Sequence, residues 1–228
     1  MANKSERDLL MVGSDRSHAR ASEDYVKAIY QLGAGEPVRA AALARYLKVS
    51  RVSVSKAKRL LERDGLVEKG ATPLRLTRQG CKLAIAMVRR HRILETFLHH
   101  SLRVPLERVH AEAERIEHVI SDDVALRIAA LLKRPQSDPH GHPIPYGDTL
   151  RVTKPLATLA SLAAGTRARV VSLDDRDDEA VAVLAAAGVL PGLSIRVERN
   201  ERSGVIVRHG RRTIAVRRGH AALVRIAT

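Results

Sequence analysis

"PVRAAALARYLKVSRVSVSKAKRLLERDGLVEKGATPLRLTRQG", residues 37–80, decides how the first third of the chain folds. Leu43, Ala44 and Leu47 mark a short helix, and "KVS" a tight turn. A second helix is predicted from about Arg51 to Arg63, with Val54, Leu60 and Leu61 turned inward. "GLVEK" and "LRLT" predict two short strands joined through "GATP", Leu74 and Leu76 alternating with Arg75 and Thr77. A helix–turn–helix followed by a two-stranded wing is a winged helix. Outside its apolar positions the second helix carries Ser50, Arg51, Ser53, Ser55, Lys56, Lys58 and Arg59. Small hydroxyls at its start and cations further along suit base-edge and phosphate contacts in the major groove.

Upstream, "SEDYVKAIYQLG" (22–33) predicts a first helix, capped by Ser22 and ended by Gly33. Residues 1–20 are expected to be a disordered tail. Downstream, one long helix is predicted over about 77–100 and another over about 106–133. Between Arg134 and Pro155 lies "RPQSDPHGHPIPYGDTLRVTKP", rich in proline and expected to be a rigid, extended tether. His140 and His142 inside it could ligate a metal, but their flanking Pro and Gly more simply make a turn. From about Leu162 the period changes to alternating, β-branched runs, "TRARVVSL", "SIRVERN", "GVIVRHG" and "TIAVRRG". One short helix, "DEAVAVLAAAG", interrupts them, and the whole predicts a small β-barrel. The expected boundaries are 21–86 for the winged helix, 87–146 for a helical domain, 147–161 for a linker and 162–228 for the barrel.

The chain of 228 residues has room for two or three compact units, and 45% hydrophobic residues provide a core. Forty Lys and Arg against 25 Asp and Glu leave a formal charge of +15, which points to a polyanionic partner, most simply duplex DNA. A high-GC coding bias also raises Arg and Ala, so charge alone carries modest weight. Phe97, four tyrosines and no Trp leave too few rings for a single-strand stacking platform. The single cysteine, Cys81, excludes an intrachain disulfide framework and a thiolate-rich zinc site. No long apolar span and no secretory leader are visible, so a cytoplasmic protein without a membrane partner is expected.

"HAEAERIEHVISDDV" (110–124) crowds two histidines and three glutamates into nine residues of a predicted helix. At about 100° per residue, His110, Glu114, Glu117 and His118 fall within an arc of roughly 100°. Val109, Ala113, Ile116, Ile120 and Val124 take the neighbouring arc as a core-facing stripe. On a lone helix this is more simply a solvated polar face; partner ligands elsewhere are needed to make it a metal site. "RRHRILETFLHH" supplies His91 and Glu95 one turn apart, and Asp24 lies in the first turn of the predicted first helix. Three helices can therefore bring oxygen and imidazole ligands to one metal.

Together "SEDYVKAIY", "LLERDGLVE", "LRLTRQG", "VRRHRILETFL", "VHAEAERIEHVISDDV" and "PHGHPIP" resemble, in order and spacing, the diphtheria toxin repressor family of metal-dependent transcription regulators. The resemblance covers residues 22–146 closely, and the C-terminal barrel looks like the SH3-like (FeoA-like) domain of longer members. It implies a mainly α protein with a β domain: a winged helix–turn–helix, a helical dimerisation and metal-binding domain, and a small SH3-like barrel. By position, Asp24, Glu114, Glu117 and His118 match the primary metal site, and His91, Glu95 and His110 the ancillary one. The third domain of long members adds an acidic ligand, for which Asp177 aligns best and Glu179 second. Ser50, Val52 and Lys56 fall on recognition-helix positions that face bases.

Glu114 stands where iron-responsive members carry a thiolate, and Asp24 where they carry a thioether. Three carboxylates and an imidazole suit Mn(II), with Fe(II) the alternative. Lys27 occupies a place where some short manganese regulators have a carboxylate, which disfavours their closely spaced two-metal cluster. The expectation is a Mn(II)-activated homodimeric repressor of metal-uptake genes, bound to a palindromic double-stranded operator. An iron(II)-dependent repressor of the same family is the near alternative. A metalloenzyme is the distant one, since it would leave the winged helix idle.

Overall fold

A computed structural model describes residues 4–33, 36–147 and 156–228. These fall into two compact units, one reaching Arg89 and taking in 145–147, the other holding 90–144 with 156–228.

In the first unit the helix–turn–helix forms where its periodicity predicts. Helix α1 (Lys4–Gly33) is followed by α2 (Ala40–Tyr46) and α3 (Arg51–Arg63). Ser50 caps α3 by accepting a hydrogen bond from Ser53 N at 3.0 Å. Val26, Ile29, Leu43, Val54, Leu61 and Leu74 share one buried core. The wing is slighter than two strands: it reduces to the bridges Val67–Leu76 and Val38–Leu74, with Glu68 N donating to Arg75 O at 2.9 Å. The segment expected as a disordered tail is helical from Lys4 onward. Once residues 22–33 are helical and packed, each added residue costs no new nucleation, and no proline stands in the way.

Helix α4 (Arg78–His100) continues into the second unit. The single helix expected over 106–133 is two, α5 (Leu106–Ile116) and α6 (Asp122–Leu131). Ser121 restarts the chain: its side chain accepts from Val124 N, and Asp122 and Asp123 occupy the first turn of α6. Arg90 fastens the break, donating from Nη1 to Glu117 O and Ile120 O at 3.0 Å each, with Nε 3.0 Å from Asp122 Oδ1. Leu94, Leu98, Val109 and Ala113 form the core, with Ile116, Ile120 and Ile128 against it. Val124, assigned to the same apolar stripe, is exposed because the break rotates it out of phase. Ser121→Ala is expected to cost about 1 kcal/mol, the usual loss for an N-cap. A urea midpoint that does not move would show that Arg90 alone holds the turn.

The connector is not an extended tether where it is described. Residues 136–144 fold back on themselves: Asp138 N donates to His142 O at 2.9 Å and Ile144 N to Gln136 O at 2.9 Å. Gly141 sits at the tip with φ +91°, where a Cβ would meet Val171 O at 2.1 Å. The loop therefore lies flat on strand β2 (Arg167–Leu173), and Leu173 N donates to His140 O at 2.9 Å. Of the linker expected over 147–161, residues 148–155 lie outside the described residues, while Ala157–Thr158 is already a strand of the C-terminal sheet.

The C-terminal part is a six-stranded antiparallel sheet in the order β1-β6-β2-β3-β4-β5. The other strands are β1 (Ala157–Thr158), β3 (Ser194–Asn200), β4 (Gly204–His209), β5 (Arg212–Arg217) and β6 (Val224–Ala227). The four long strands match the predicted runs, while β1 and β6 are too short to show a period. Alternate residues such as Val170, Ile195, Val197, Val205, Val207, Val216 and Ile226 fill its core. Helix α7 (Asp178–Ala186) leaves β2 and packs against α5, and α8 (Arg218–Leu223) joins β5 to β6. The mainly α architecture with a small β domain is as the sequence implies.

Candidate metal centre

His91 and Glu95 are one turn apart on α4, on the face turned toward α5, and both are buried. His91 Nε2 is 2.9 Å from Glu95 Oε1 and 3.0 Å from His110 Nδ1 on α5. His110 Nδ1 in turn is 3.2 Å from the same Glu95 oxygen. On its other side His91 Nδ1 meets Glu117 Oε2 at 2.5 Å, and Glu117 Oε1 is 3.5 Å from His118 Nε2. His91 thus links the two ligand sets that the sequence treats separately. Glu117 has no exposure at all: it still has helical dihedral angles, its N–H donates to Ala113 O at 2.9 Å, and it follows Val109 and Ala113 at one-turn spacing on the buried face. Glu114 stays at the rim, half exposed, with Oε1 3.9 Å from His110 Nε2. His91, Glu114 and Glu117 offer ligand atoms within 4.8 Å of one another. Asp24 lies on α1 in the other unit, half-buried, and Lys27 one turn on is buried.

The acidic run before α7 divides its work in a way the sequence does not announce. Asp177 caps α7, its carboxylate accepting from Ala180 N at 3.0 Å, and Glu179 is exposed in the first turn. Asp174 is held by Arg176, Nε to Oδ1 at 2.8 Å. Asp175 faces the histidines, with Oδ2 3.7 Å from His110 Nδ1, 3.5 Å from His142 Nδ1 and 3.9 Å from His140 Nδ1. The geometry therefore replaces Asp177 and Glu179 by Asp175 as the acid beside His91, Glu95 and His110. Placing the cap at Asp177, just before the apolar run, would have removed that residue from consideration.

The folded-back loop adds three groups. His140 is fully buried, its Nε2 3.1 Å from Leu106 O and its Nδ1 3.8 Å from Glu95 Oε1. Asp138 is buried too, and its carboxylate lies 3.3 Å from His142 Nδ1. Glu95 Oε2 and His140 Nδ1 are buried without a hydrogen-bond partner, Asp138 Oδ2 lies 3.3 Å from His142 Nδ1 and 3.6 Å from Arg92 Nε, and Glu95, Asp138 and His140 bring ligand atoms within 4.8 Å. Orphaned buried acceptors cost free energy unless something satisfies them. Two carboxylates and an imidazole converging here, two of their atoms orphaned, fit a divalent cation.

The electrostatics agree. Burial pushes the Glu95 carboxyl up, but the surrounding His91, His110 and His140 imidazoles outweigh it and hold it well below the usual carboxylate range. Burial pulls His110 down, yet its bond to Glu95 and the charge of Asp175 leave it raised. His142 is likewise lowered by burial, but Asp175 and Asp138 drive it up to about 9.

On α3, Ser50, Arg51, Val52, Ser55, Lys56 and Arg59 are exposed, Val52 by 63%. Ser53 is half-buried, and its hydroxyl is 2.9 Å from that of Ser50, so both belong to the cap. Lys58 is committed to the wing: its Nζ donates to Ala71 O at 2.9 Å and lies 3.5 Å from Glu62. It braces the wing against α3 where the sequence suggested a DNA contact.

Three family descriptions match the chain in succession. Residues 19–71 match the iron-dependent repressor N-terminal DNA-binding domain. Residues 77–146 match the iron-dependent repressor metal-binding and dimerisation domain, and 157–228 the FeoA domain. The iron-dependent repressor IdeR of Mycobacterium tuberculosis is 37% identical over 201 residues, covering 82% of this chain and 87% of that protein. A structure of a manganese-dependent transcriptional repressor in complex with manganese superposes with a TM-score of 0.80 at 34% identity, covering 91% of this chain and 99% of the other. The IdeR structure from T. acidophilum gives a TM-score of 0.70 at 28% identity, covering 90% and 97%. Among the described residues no helix is long and apolar enough to cross a membrane. The chain belongs to the iron-dependent repressor family, the family of the diphtheria toxin repressor, whose members are metal-dependent DNA-binding repressors and not enzymes.

Proposed function

We propose that this protein is a Mn(II)-activated homodimeric repressor that acts in the cytoplasm on a palindromic operator controlling metal uptake. One observation supports manganese above all: every donor in the clustered sets is a carboxylate oxygen or an imidazole nitrogen, with no sulfur among them. Hard, oxygen-rich donor sets suit Mn(II) better than thiolate-preferring ions. In this reading Glu114, Glu117 and His118, joined by Asp24 from α1, form the primary set. Glu95, His91, His110 and Asp175 form the ancillary set, with Asp138 and His140 as further donors.

A bound divalent cation supplies the positive charge that lets these carboxylates share one point. Left to themselves, Asp24, Glu114 and Glu117 repel one another, and the residues carrying them drift apart. Asp24 belongs to the DNA-binding unit, while Glu114, Glu117 and His118 follow or lie on α5. Holding them together fixes the separation of the two α3 helices of a dimer. That separation must be about 34 Å or a multiple for both helices to enter successive major-groove faces. Tighter ion binding by the DNA-competent arrangement is what makes the arrangement a switch. Exposed Val52 and Lys56, with Arg51 and Arg59, then meet bases and phosphates.

Operator binding titrated anaerobically with Mn(II), Fe(II) and Zn(II) tests this. The wild type should respond best to Mn(II) and lose operator binding in chelator. Glu114→Cys, at the half-exposed rim, should weaken the Mn(II) response and improve that to Fe(II), with the dimer unchanged. Identical responses of wild type and variant to both ions would place Glu114 outside the ligand set and remove the case for manganese.

A further inference from the structure

Three arginines stand in register across the C-terminal sheet. Arg167 on β2 pairs with Arg196 on β3, which pairs on its other side with Arg208 on β4. All three are exposed, as is Arg169, two residues along β2 and so on the same face. Adjacent strands lie about 4.8 Å apart, so the row spans roughly 10 Å. Glu198 pairs with Arg208, and among the described residues no acid pairs with the other three. The four arginines line one open cleft of about 500 Å³.

Such a row works against folding. Like charges directly opposite on neighbouring strands are destabilising, and threonine or serine would serve equally well at an exposed sheet position. The acids of this part of the chain do not offset it, since five of them are gathered between Asp174 and Glu179, where Asp175 faces the histidines. A polyanion laid across the face would remove the repulsion. The cleft is open and lined by long cationic side chains, whereas a small anion is ordinarily held in an enclosed pocket with a few converging donors. An extended run of phosphates fits it better. Duplex DNA is the polyanion that the N-terminal domain of this family already meets.

The geometry points to a second contact with duplex DNA, in which Arg167, Arg169, Arg196 and Arg208 grip the phosphate backbone without reading sequence and without needing metal. This contact goes beyond the metal switch and is independent of which ion works it. It adds to the affinity for any duplex, and so keeps the protein on DNA when the switch is off.

The test uses the full chain in chelator with a duplex lacking the operator, its affinity measured by fluorescence anisotropy between 50 and 200 mM salt. Each phosphate contact contributes about 0.9 to the slope of log affinity against log salt, so Arg167→Gln/Arg169→Gln/Arg196→Gln should flatten it by about 2.7. At the low-salt end that corresponds to a loss of roughly tenfold or more. The same three positions changed to Lys should keep the wild-type slope, which separates charge from folding. The Gln variant should melt no lower than wild type, because the like-charge row is gone. A Gln variant with an unchanged slope overturns the proposal. So does a slope that changes while wild type prefers polyglutamate to DNA, which would make the face a docking site for an acidic protein.

Discussion

Replacing Asp24 with alanine is expected to abolish metal-activated operator binding, lowering affinity at saturating Mn(II) by about a hundredfold or more, about 2.7 kcal/mol. From the sequence alone Asp24 has a rival explanation as an acid in a first helical turn, favourable to the dipole and worth under about 1 kcal/mol. The fold removes that rival. Helix α1 starts at Lys4, so Asp24 lies deep within it, far from the positive end. In a helix interior, alanine is the better former by roughly half a kcal/mol, so the variant keeps its fold. What it loses, on the proposed assignment, is one carboxylate of the primary set. The measurement pairs operator affinity across a Mn(II) series with thermal melting and the dimer's sedimentation. Wild-type operator binding at wild-type Mn(II) would sink the assignment of Asp24 as a ligand.

Glu95→Gln carries the second large effect, and in the metal-free protein it is one of stability. Glu95 is fully buried among His91, His110 and His140. Removing one side of a buried charge cluster costs about 3 kcal/mol, because the partners are left buried and uncompensated. The sign of its pH dependence follows from the directions of the shifts. Glu95 is depressed in the folded state, so its contribution is present above the unfolded value of 4.5 and fades as pH falls below it. His110 is raised, so its share is full below 6.5 and fades as pH climbs through its higher folded value. Wild type and variant should therefore differ most between about pH 4.5 and 6.5. With Mn(II) present, the variant should also lose one of two bound ions per chain, counted by the free Mn(II) signal. Equal stability across that window, with equal stoichiometry, would show Glu95 to be a spectator.

Much of this centre is visible in the sequence because helical spacing is local. His91 and Glu95 fall one turn apart on any helix, and His110 and Glu114 do the same. The resemblance then supplies which helices face each other. What local spacing misses is where a helix stops. Treating 106–133 as one helix puts Val124 in its apolar stripe, whereas Ser121 with two following aspartates is a start signal that divides it. The loop is missed for a different reason. Proline suggests an extended connector, but Gly141 allows a backbone approach to β2 that no periodicity reports, and only that approach makes His140 and Asp138 buried neighbours of Glu95. Among five clustered acids, sequence alone cannot choose Asp175, because the choice depends on which carboxylate the turn before α7 directs inward.

The contact of Gly141 with β2 bears on how this protein can be recombined with its relatives. The gap between the second and third family descriptions, 147–156, looks like a natural splice point for exchanging C-terminal domains. A cut there would separate a loop from the strand it rests on: Leu173 holds His140 through the backbone, and Asp175 follows two residues later. A chimera joined in that gap would inherit Glu95, Asp138 and His140 from one parent and their facing acid from the other. Grafts of this kind will keep their ancillary centre only if the incoming strand tolerates a bare backbone at its edge and carries an aspartate at the position of Asp175. The heritable module is the histidine loop together with the strand beneath it, and it straddles the boundary that domain parsing draws.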